Sequence, residues 1–413
     1  MTAKVYLKKN REASILRFHP WVFSGAVANV TGSPAEGDIV GVFSSEGEFL
    51  ASGHWQIGSI SVRILSFAGD PEAPDFWKNA LGAALQARIA AGLAQGGVAA
   101  LCAGDSPATR GRATTCYRLV HGEGDGLPGL IIDWYDGVAV MQAHSAGMFR
   151  AKHQICEALK AVYGGSLQAV YDKSSGTAPF KAGLDLVDGY LYKAEGFVEG
   201  PRTVLENGHK FLVDWTEGQK TGFFLDQREN RALVEKYSRG RRVLNLFCYT
   251  GGFSVYALGG GAVRVDSVDS SAKAIALAGK NLELGGFAPD RHSEICADVK
   301  DYLGTMVPDA YDLIIVDPPA FAKHRGALDR ALRAYQRLNA AAISAVAPGG
   351  FVFTFSCSQV VDRQTFLETI FSAAAQTGRR VRILDRLNQP ADHAVSIYHP
   401  EGEYLKGLLL YVE

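Results

Sequence analysis

Two residues in the C-terminal half of the chain combine reactive chemistry with a position at the end of a predicted strand. Asp317 begins the turn in "VDPPAF", and Cys357 follows the apolar run "VFTFS". The two prolines stop the first strand and fix its backbone, so the carboxylate and the next carbonyl groups form acceptors suited to a planar base edge or an amine. A cysteine at a strand exit is either a strong nucleophile or an ordinary small hydrophobic residue. We favour the nucleophile, because both residues leave adjoining predicted strands at one sheet edge.

A glycine-rich turn follows the first strand of the same predicted sheet. The segment "YTGGFS" contains Tyr249, Thr250, Gly251 and Gly252. Its glycines allow a tight turn and a close approach of the backbone to a ligand at the next helix N-terminus. The segment lacks the G-x-G-x-x-G pattern of dinucleotide-binding turns, so it indicates a nucleotide-like ligand only weakly by itself.

Two further carboxylates, Asp269 and Asp298, end the next two predicted strands. The spacing from Gly251 to Asp269 suits a carboxylate that binds ribose hydroxyls, whereas a cap of the helix in "SSAKAIAL" is the alternative. Asp298 is either a contact on the adenine side of the same ligand or the cap of the helix that follows it. The order of these features favours ligand binding at both positions.

Alternating strands and helices must position these side chains. From residue 200 onward, "RVLNLFC", "VRVDSVD", "HSEICAD", "YDLIIVD" and "GFVFTFSC" are predicted strands, with helices at 271–284 and 327–347 between them. This alternation is typical of a parallel, doubly wound α/β sheet, in which ligands bind beyond the carboxyl ends of the strands. The last segments, "RVRILDRL" and "YLKGLLLYVE", are expected to close the sheet with a reversed edge strand.

The chain is long enough for three domains. Short alternating runs with turn residues predict an all-β module at 1–72. A helix at 76–94, strands around "EGDGLPGLIIDWY" and a helix near 148–162 predict a central α+β domain at 73–196. The α/β domain then spans 197–413, and its "TVLENGHKFLVDW" segment predicts an Asn-Gly hairpin.

Composition restricts the classes of protein to consider. The net charge is −1 and the hydrophobic fraction 47%, which favours a folded protein over a disordered or uniformly basic one. The six cysteines form no C-x-x-C pair, so we expect neither a disulfide framework nor a metal site. The first residues lack the apolar run of a secretory signal, so a cytoplasmic location is expected.

A nucleic-acid partner would need local clusters of positive charge. One cluster lies near the N-terminus and another at helical spacing after the Asp-Pro-Pro turn: Lys8, Lys9, Arg11 and Arg17, and Arg330, Arg333 and Arg337. Each cluster is either a phosphate-binding surface or an ordinary solvated face, and the sequence leaves both open.

The combined motifs resemble a known family. The runs "VLNLFCYTGGFSVYA", "VDPPAF" and "FSCS" are similar to those of class I S-adenosylmethionine-dependent RNA methyltransferases. With "RFHPWVFSGAV", "EGDGLPGLIIDWY" and "GQKTGFFLDQRENR", the chain more narrowly resembles bacterial large-subunit (23S) ribosomal RNA cytosine-C5 methyltransferases that carry an N-terminal PUA domain. The resemblance covers nearly the whole chain.

The resemblance implies a role for each candidate residue. Cys357 would be the nucleophile that adds to C6 of the cytosine, and Asp317 would bind the base at N3 and N4. The turn at 249–252, Asp269, Asp298 and also Asp317 would hold S-adenosylmethionine, with Gln227 and Arg228 over the cofactor. Residues 1–72 would form the PUA module that binds ribosomal RNA. The oligomeric state is not implied, and a homodimer stays open.

Three alternatives compete with this interpretation. Asp-Pro-Pro-aromatic turns also serve methylation of a base nitrogen, in which case Cys357 would be incidental. A non-catalytic RNA-binding assembly protein could keep the same fold, although the carboxylates at successive strand ends count against decay of the site. A nicotinamide-dependent enzyme fits least, because it has no need of the Asp-Pro-Pro turn.

Overall fold

The computed structural model describes residues 3–94, 113–179, 182–322 and 324–413. The chain divides into two compact units. The first comprises Met1–Val204, Val213–Leu225 and Ala391–Gly402; the second comprises Leu205–Leu212, Asp226–Pro390 and Glu403–Glu413. The three-domain boundaries after residues 72 and 196 stay a prediction.

The first unit begins with a six-stranded sheet of order β2-β6-β5-β4-β1-β3. Its strands are β1 Ala3–Leu7, β2 Trp21–Phe23, β3 Val27–Thr31, β4 Ile39–Phe43, β5 Phe49–Trp55 and β6 Ile60–Ser66. Only β1 and β4 pair in parallel in this sheet. Val5, Val42 and Val62 lie in its buried core, so the predicted all-β N-terminal region is confirmed.

A second sheet in the same unit has the order β11-β10-β9-β8-β7. Its strands are β7 Cys116–His121, β8 Leu130–Tyr135, β9 Val138–Ala143, β10 Ala169–Asp172 and β11 Gly189–Lys193. The helices are α1 Phe76–Ala90, α2 Ala146–Arg150 and α3 Lys152–Tyr163. The helix predicted near 148–162 is present as two consecutive segments, α2 and α3, which are separated at Ala151, where ψ is −1°.

The hairpin prediction is confirmed. Strands β12 Arg202–Glu206 and β13 His209–Val213 pair, and Asn207 and Gly208 connect them with φ of 49° and 83°. Positive φ at both central residues is the requirement of a two-residue turn that matches the twist of a hairpin.

The second unit contains a seven-stranded sheet of order β16-β15-β14-β17-β18-β20-β19. Its strands are β14 Arg242–Leu246, β15 Arg264–Asp269, β16 His292–Cys296, β17 Tyr311–Val316, β18 Val346–Ser356, β19 Val381–Asn388 and β20 Lys406–Val412. The first five are mutually parallel, as predicted for a doubly wound sheet. Helices of the unit are α4 Arg228–Tyr237, α5 Gly252–Gly259, α6 Ala272–Leu284, α7 Val299–Gly304, α8 Leu328–Ala345 and α9 Arg363–Thr377.

The reversed strand does not lie at the edge of the sheet, contrary to the prediction. Strand β20 is antiparallel to both β18 and β19, and β19 forms the edge. The reason is burial: β20 is a nearly continuous buried apolar run, whereas most of β19 is exposed. A strand that is apolar on both faces needs cover on both faces, and an interior position provides it.

Among the described residues, no helix combines the length and the apolar character required to cross a bilayer.

Candidate active site

The turn after β14 has an unusual backbone. Phe247, Tyr249 and Gly251 all have positive φ, at 58°, 46° and 77°. Non-glycine residues in this region are strained, and such strain is concentrated at functional sites. At Gly251 a Cβ atom would lie 3.0 Å from the Cβ of Ala278, so glycine also permits the close packing of α5 on α6. The predicted glycine turn is therefore present, and it begins α5 at Gly252.

Side chains from neighbouring elements hold this turn in place. The backbone N–H of Tyr249 donates to Asp269 Oδ2 at 3.0 Å. Asn281 Nδ2 donates to the carbonyl of Thr250 at 2.8 Å, while its Oδ1 accepts from the N–H of Leu212 at 2.8 Å. The turn and the end of β15 thus form one hydrogen-bonded structure.

Asp269 and Asp298 lie at the carboxyl ends of β15 and β16, where the sequence placed them. Asp269 Oδ1 accepts from the N–H of Ser271 at 2.9 Å, but the residue that caps α6 is Ser271, through the N–H of Ala274. Asp298 does cap a helix, because Oδ1 accepts from the first N–H groups of α7. Capping accounts for Asp298 without a ligand, whereas Asp269 braces two turns at the position expected for ribose binding.

The Asp317 carboxylate ends β17 and contacts the start of α4. Gln227 Nε2 donates to Asp317 Oδ2 at 3.0 Å, and Asn230 Nδ2 donates to Gln227 Oε1 at 2.6 Å. Burial and the nearby Asp226 carboxylate raise the pKa of Asp317 to about 7, while the hydrogen bond from Gln227 opposes the shift. Near neutral pH, Asp317 can therefore act as a proton donor as well as an acceptor.

Gln227 and Arg228, two of the predicted cofactor contacts, have different surroundings. Gln227 faces the Asp317 turn through its side-chain amide. Arg228 is fully buried at the first position of α4, with Nε 3.9 Å from the exposed carboxylate of Glu229. A role for either residue toward a cofactor stays a prediction.

The Cys357 turn is joined to the Asp317 turn. Cys357 follows β18 and is partly exposed. The next residue, Ser358, donates its hydroxyl to the carbonyl of Ala322 at 2.6 Å, in the segment that follows Asp317. Burial, followed by the Asp317 and Asp226 carboxylates, raises the pKa of Cys357 to about 12. The thiol therefore senses the charge of both carboxylates, and the sequence correctly placed Cys357 and Asp317 at one sheet edge.

Lys406, which sequence analysis missed, lies beside this thiol. It stands opposite Ser356 in the β18–β20 register, and its Nζ donates to the carbonyl of Ser358 at 2.6 Å. Burial lowers the pKa of Lys406 to about 8, and the positive charge acts to lower the pKa of Cys357. The available signal was a lysine in the otherwise apolar "LKGLLLYV" strand.

Asp226 was missed as well, although it directly precedes Gln227 in "FFLDQREN". Its Oδ2 accepts from the hydroxyl of Tyr404 at 2.7 Å. Its Oδ1 is shielded from solvent and has no hydrogen-bond partner among the described residues. A buried carboxylate oxygen without a donor is costly, so it calls for an explanation.

The remaining described cysteines are poor nucleophile candidates. Cys116, Cys156 and Cys248 are buried, and burial raises the pKa of Cys248 far above its ordinary value. Cys296 is exposed at the end of β16. Cys102 lies outside the described residues. No group of three metal-ligating side chains occurs in the described ranges.

The basic residues predicted to contact RNA are all exposed: Lys8, Lys9, Arg11, Arg17, Arg330, Arg333 and Arg337. Lys8 Nζ donates to the carbonyl of Gly25 at 2.9 Å, and Arg17 Nε donates to that of Ala13 at 3.0 Å. The three later arginines lie along one exposed face of α8, the helix that follows the Asp317 turn. Exposure is necessary for phosphate binding but is also the property of a solvated face.

Comparison with known protein families decides the class of this site. A model described as S-adenosylmethionine-dependent methyltransferase matches residues 117–396, and a PUA-like domain model matches residues 5–67. The chain belongs to the S-adenosylmethionine-dependent methyltransferase family. It is an enzyme of this family, and the resemblance inferred from the sequence motifs is confirmed.

Curated relatives span the full chain. A protein of Aeromonas hydrophila named ribosomal RNA large subunit methyltransferase I is 39% identical over 416 residues, covering 99% of both chains. A protein of the same name from Pseudoalteromonas translucida is also 39% identical, with 99% of both chains covered. The chain therefore belongs to the family of these relatives.

A solved structure confirms the fold. SMU.776, assigned as a methyltransferase and solved in complex with SAH, superposes with a TM-score of 0.81 at 23% identity, covering 99% of this chain and 100% of that chain. The predicted α/β class, with an all-β N-terminal region, is thereby confirmed.

The cofactor of the family is S-adenosylmethionine, and the residues at the carboxyl edge of the sheet fit it. Asp269 supplies a carboxylate suited to ribose hydroxyls, beside a turn whose strained backbone is held by Asp269 itself. The N-terminus of α5 follows directly, and helix N-termini offer N–H groups to polar ligands.

Proposed function

We propose that this chain methylates C5 of a cytosine in large-subunit ribosomal RNA, with Cys357 as nucleophile and Asp317 as the group that binds the base. The observation that carries the proposal is the junction of the Cys357 and Asp317 turns through Ser358 and Ala322. The names of the full-length relatives support the choice of ribosomal RNA.

The chemistry explains why these two side chains belong together. Cytosine C5 is a weak nucleophile, and addition of the Cys357 thiolate to C6 makes it enamine-like. The electron pair of the C5=C6 bond moves toward N3, which takes a proton from Asp317. A raised pKa of about 7 suits Asp317 to that task. Bound S-adenosylmethionine supplies the methyl group that C5 takes.

The thiol must lose its proton before it adds to C6. Its raised pKa makes the thiolate scarce at neutral pH, so the site needs a cation or a base nearby. Lys406 meets that need, since its Nζ binds the carbonyl of the residue next to Cys357. A lysine whose pKa is lowered to about 8 is partly neutral near that pH and can accept a proton.

Cofactor contacts complete the proposed site. Asp269 binds the ribose hydroxyls, Asp298 the adenine side, and the turn from Tyr249 to Gly252 lines the methionine end. Gln227 and Arg228 flank the cofactor from the start of α4. Asp298 combines this contact with its capping of α7, because an Oδ1 engaged by N–H groups leaves Oδ2 for a ligand.

The RNA partner is bound through local positive charge. We assign phosphate contacts to the N-terminal basic residues and to the exposed arginines of α8: Lys8, Lys9, Arg11, Arg17, Arg330, Arg333 and Arg337. A ribosomal RNA substrate implies a cytoplasmic location. The homodimer left open by the sequence is a separate proposal, and analytical ultracentrifugation of the full chain tests it.

Product identification tests the proposed function. Ribosomal RNA is incubated with the protein and S-adenosylmethionine, and its nucleosides are analysed by mass spectrometry. We expect 5-methylcytidine from the wild type and from Cys296→Ala, which changes an exposed thiol. Cys357→Ala should lose at least about 10³-fold in rate while it retains cofactor binding.

Covalent trapping of the enzyme on a modified RNA is the second test of the proposed function. RNA that carries 5-fluorocytosine should form a stable adduct with the wild type, because fluorine cannot leave C5 as a proton does, and no adduct with Cys357→Ala. An N-methylated base as product, together with a fully active Cys357→Ala, would instead establish methylation of a base nitrogen.

A further inference from the structure

The proposed reaction leaves one step without a residue. After C5 takes the methyl group, it carries both a methyl group and its original hydrogen, and a base must remove that hydrogen before the enzyme can be released. Asp317 has given its proton to N3 and must take that same proton back when the adduct breaks down, and the sulfur of Cys357 is bonded to C6. The site must therefore contain another acceptor or admit water to the adduct.

Asp226 is a carboxylate that structural contacts leave half satisfied. The Tyr404 hydroxyl holds Oδ2 at 2.7 Å and so fixes the orientation of the group. Oδ1 is shielded from solvent and has no partner in the described ranges. A residue with a purely structural role would be expected to satisfy both oxygens, since an unpaired buried oxygen is destabilising.

The position of Asp226 associates it with the reacting groups. It directly precedes Gln227, whose amide donates to Asp317 at 3.0 Å. Its charge is one cause of the raised pKa of both Asp317 and Cys357. Tyr404, which orients Asp226, is two residues from Lys406, whose Nζ binds the carbonyl next to Cys357. The start of β20 therefore positions Asp226, through Tyr404, and Lys406 itself near the Cys357 thiol.

Two neighbouring carboxylates cannot both remain charged without a cost, so their roles divide into an acid and a base. Asp317 is the member whose proton is retained toward neutral pH. Asp226 is the member left to accept a proton, through an Oδ1 that has no partner among the described residues.

We propose that Asp226 accepts the proton that leaves C5 after methyl transfer, an assignment that rests on the proposed cytosine-C5 function. The C5–H bond breaks and its hydrogen passes to the Asp226 carboxylate. The electron pair re-forms the C5=C6 double bond, the C6–S bond breaks, and Cys357 leaves as thiolate. N3 returns its proton to Asp317, and Asp226 later releases its own to water.

Asp226→Asn separates this step from the earlier ones. Asparagine has nearly the same shape and retains an oxygen for the Tyr404 hydroxyl, but it cannot take up a proton. RNA labelled with tritium at cytosine C5 and S-adenosylmethionine labelled with ¹⁴C in the methyl group report the two events separately. We expect Asp226→Asn to transfer methyl groups to about one per enzyme and to release tritium at least about 10²-fold more slowly than wild type.

The methylated protein–RNA adduct in which the reaction stalls can also be detected directly. Asp226→Asn should accumulate a protein–RNA adduct on a denaturing gel with ordinary cytosine RNA, containing both isotopes, whereas the double variant with Cys357→Ala should give none. Glu229→Gln is the matched control, because it neutralises an exposed carboxylate in the same segment. It should turn over like the wild type.

The outcomes separate the two proposals. Normal tritium release by Asp226→Asn, or loss of activity without an adduct while cofactor binding persists, overturns the assignment of Asp226 alone. If Asp226→Asn fails to bind the cofactor, Tyr404→Phe replaces it. Tyr404→Phe keeps the carboxylate but frees its orientation, and it must lower tritium release more than methyl transfer for the assignment to stand. An N-methylated product from the wild type overturns the proposed function itself.

Discussion

Gln227 Nε2 donates to Asp317 Oδ2 at 3.0 Å, which joins the residue before α4 to the turn after β17. An amide donor orients a carboxylate without neutralising it, because it carries no charge. The hydrogen bond therefore leaves the effect of burial and of Asp226 in place, and the pKa of Asp317 stays raised to about 7. An acid poised near neutral pH is positioned in this way by a neutral side chain.

The raised pKa of Asp317 predicts a stability gain on substitution. Between its ordinary value of 3.8 and about 7, the folded protein binds more protons at this site than the unfolded chain does. Stability present at low pH is therefore lost as the pH rises through 7. Asp317→Asn should be more stable than wild type at pH 8 by roughly 2–4 kcal/mol, and the difference should vanish near pH 4. Denaturant titrations at both pH values measure it.

Asp312→Asn is the control, with the opposite sign. A hydrogen bond from Arg242 lowers the pKa of Asp312, at the other end of β17. Its contribution to stability is present above the ordinary pKa and is lost as the pH falls, so Asp312→Asn should be destabilised at pH 8. A destabilised Asp317→Asn at pH 8 would contradict the assignment of a costly buried charge.

Lys406 should control the reactivity of Cys357. In Lys406→Met the cation beside the thiol is lost, so the thiolate fraction should fall and Cys357 should be alkylated more slowly. Alkylation by iodoacetamide, followed peptide by peptide over pH 7–10, measures this. Lys406→Arg should stay close to wild type, and the exposed Cys296 provides an internal reference. Equal alkylation of Cys357 in wild type and Lys406→Met would rule out the role.

Asp269 should determine cofactor affinity. In Asp269→Ala the acceptor proposed for the ribose hydroxyls and the bond to the Tyr249 N–H are both lost, so S-adenosylmethionine should bind at least about tenfold more weakly. Isothermal titration calorimetry measures the affinity. Asp290→Ala, an exposed position before β16 at the opposite edge of the sheet, is the control. Unchanged affinity in Asp269→Ala would refute the ribose assignment.

The N-terminal basic cluster should contribute to RNA binding through counterion release. Replacement of Lys8, Lys9, Arg11 and Arg17 by glutamine should weaken RNA binding. It should also reduce the slope of log affinity against log salt by up to about 3, since each phosphate contact on a single strand contributes about 0.7. Filter binding over a salt series measures both quantities.

Lys160 and Lys193 serve as controls for that experiment, because the first is half-buried, the second is exposed, and each pairs with a glutamate of the same unit. Their replacement by glutamine should leave the slope unchanged. An unchanged slope in the N-terminal variant would identify that cluster as a solvated face.

Local sequence determined the parallel sheet, the hairpin at Asn207 and the glycine turn at Gly251. Each depends on a short-range property. The period of apolar residues marks the strands of the sheet, and both turns need residues that adopt positive φ. The prolines after Asp317 end a strand in the same local way. Asp317 and Cys357 could be placed together for the same reason, because parallel strands bring their carboxyl ends to one edge.

Only the tertiary structure decided which other groups surround Cys357. Asp226, Tyr404 and Lys406 come from distant parts of the chain and carry no motif, and β20 brings the last two to the site by its interior, reversed position. The pKa values of Asp317, Cys357 and Lys406 arise from burial and from one another's charges. Such interactions depend on distances in the folded protein between residues that are far apart in sequence, so they could not be predicted from the sequence alone.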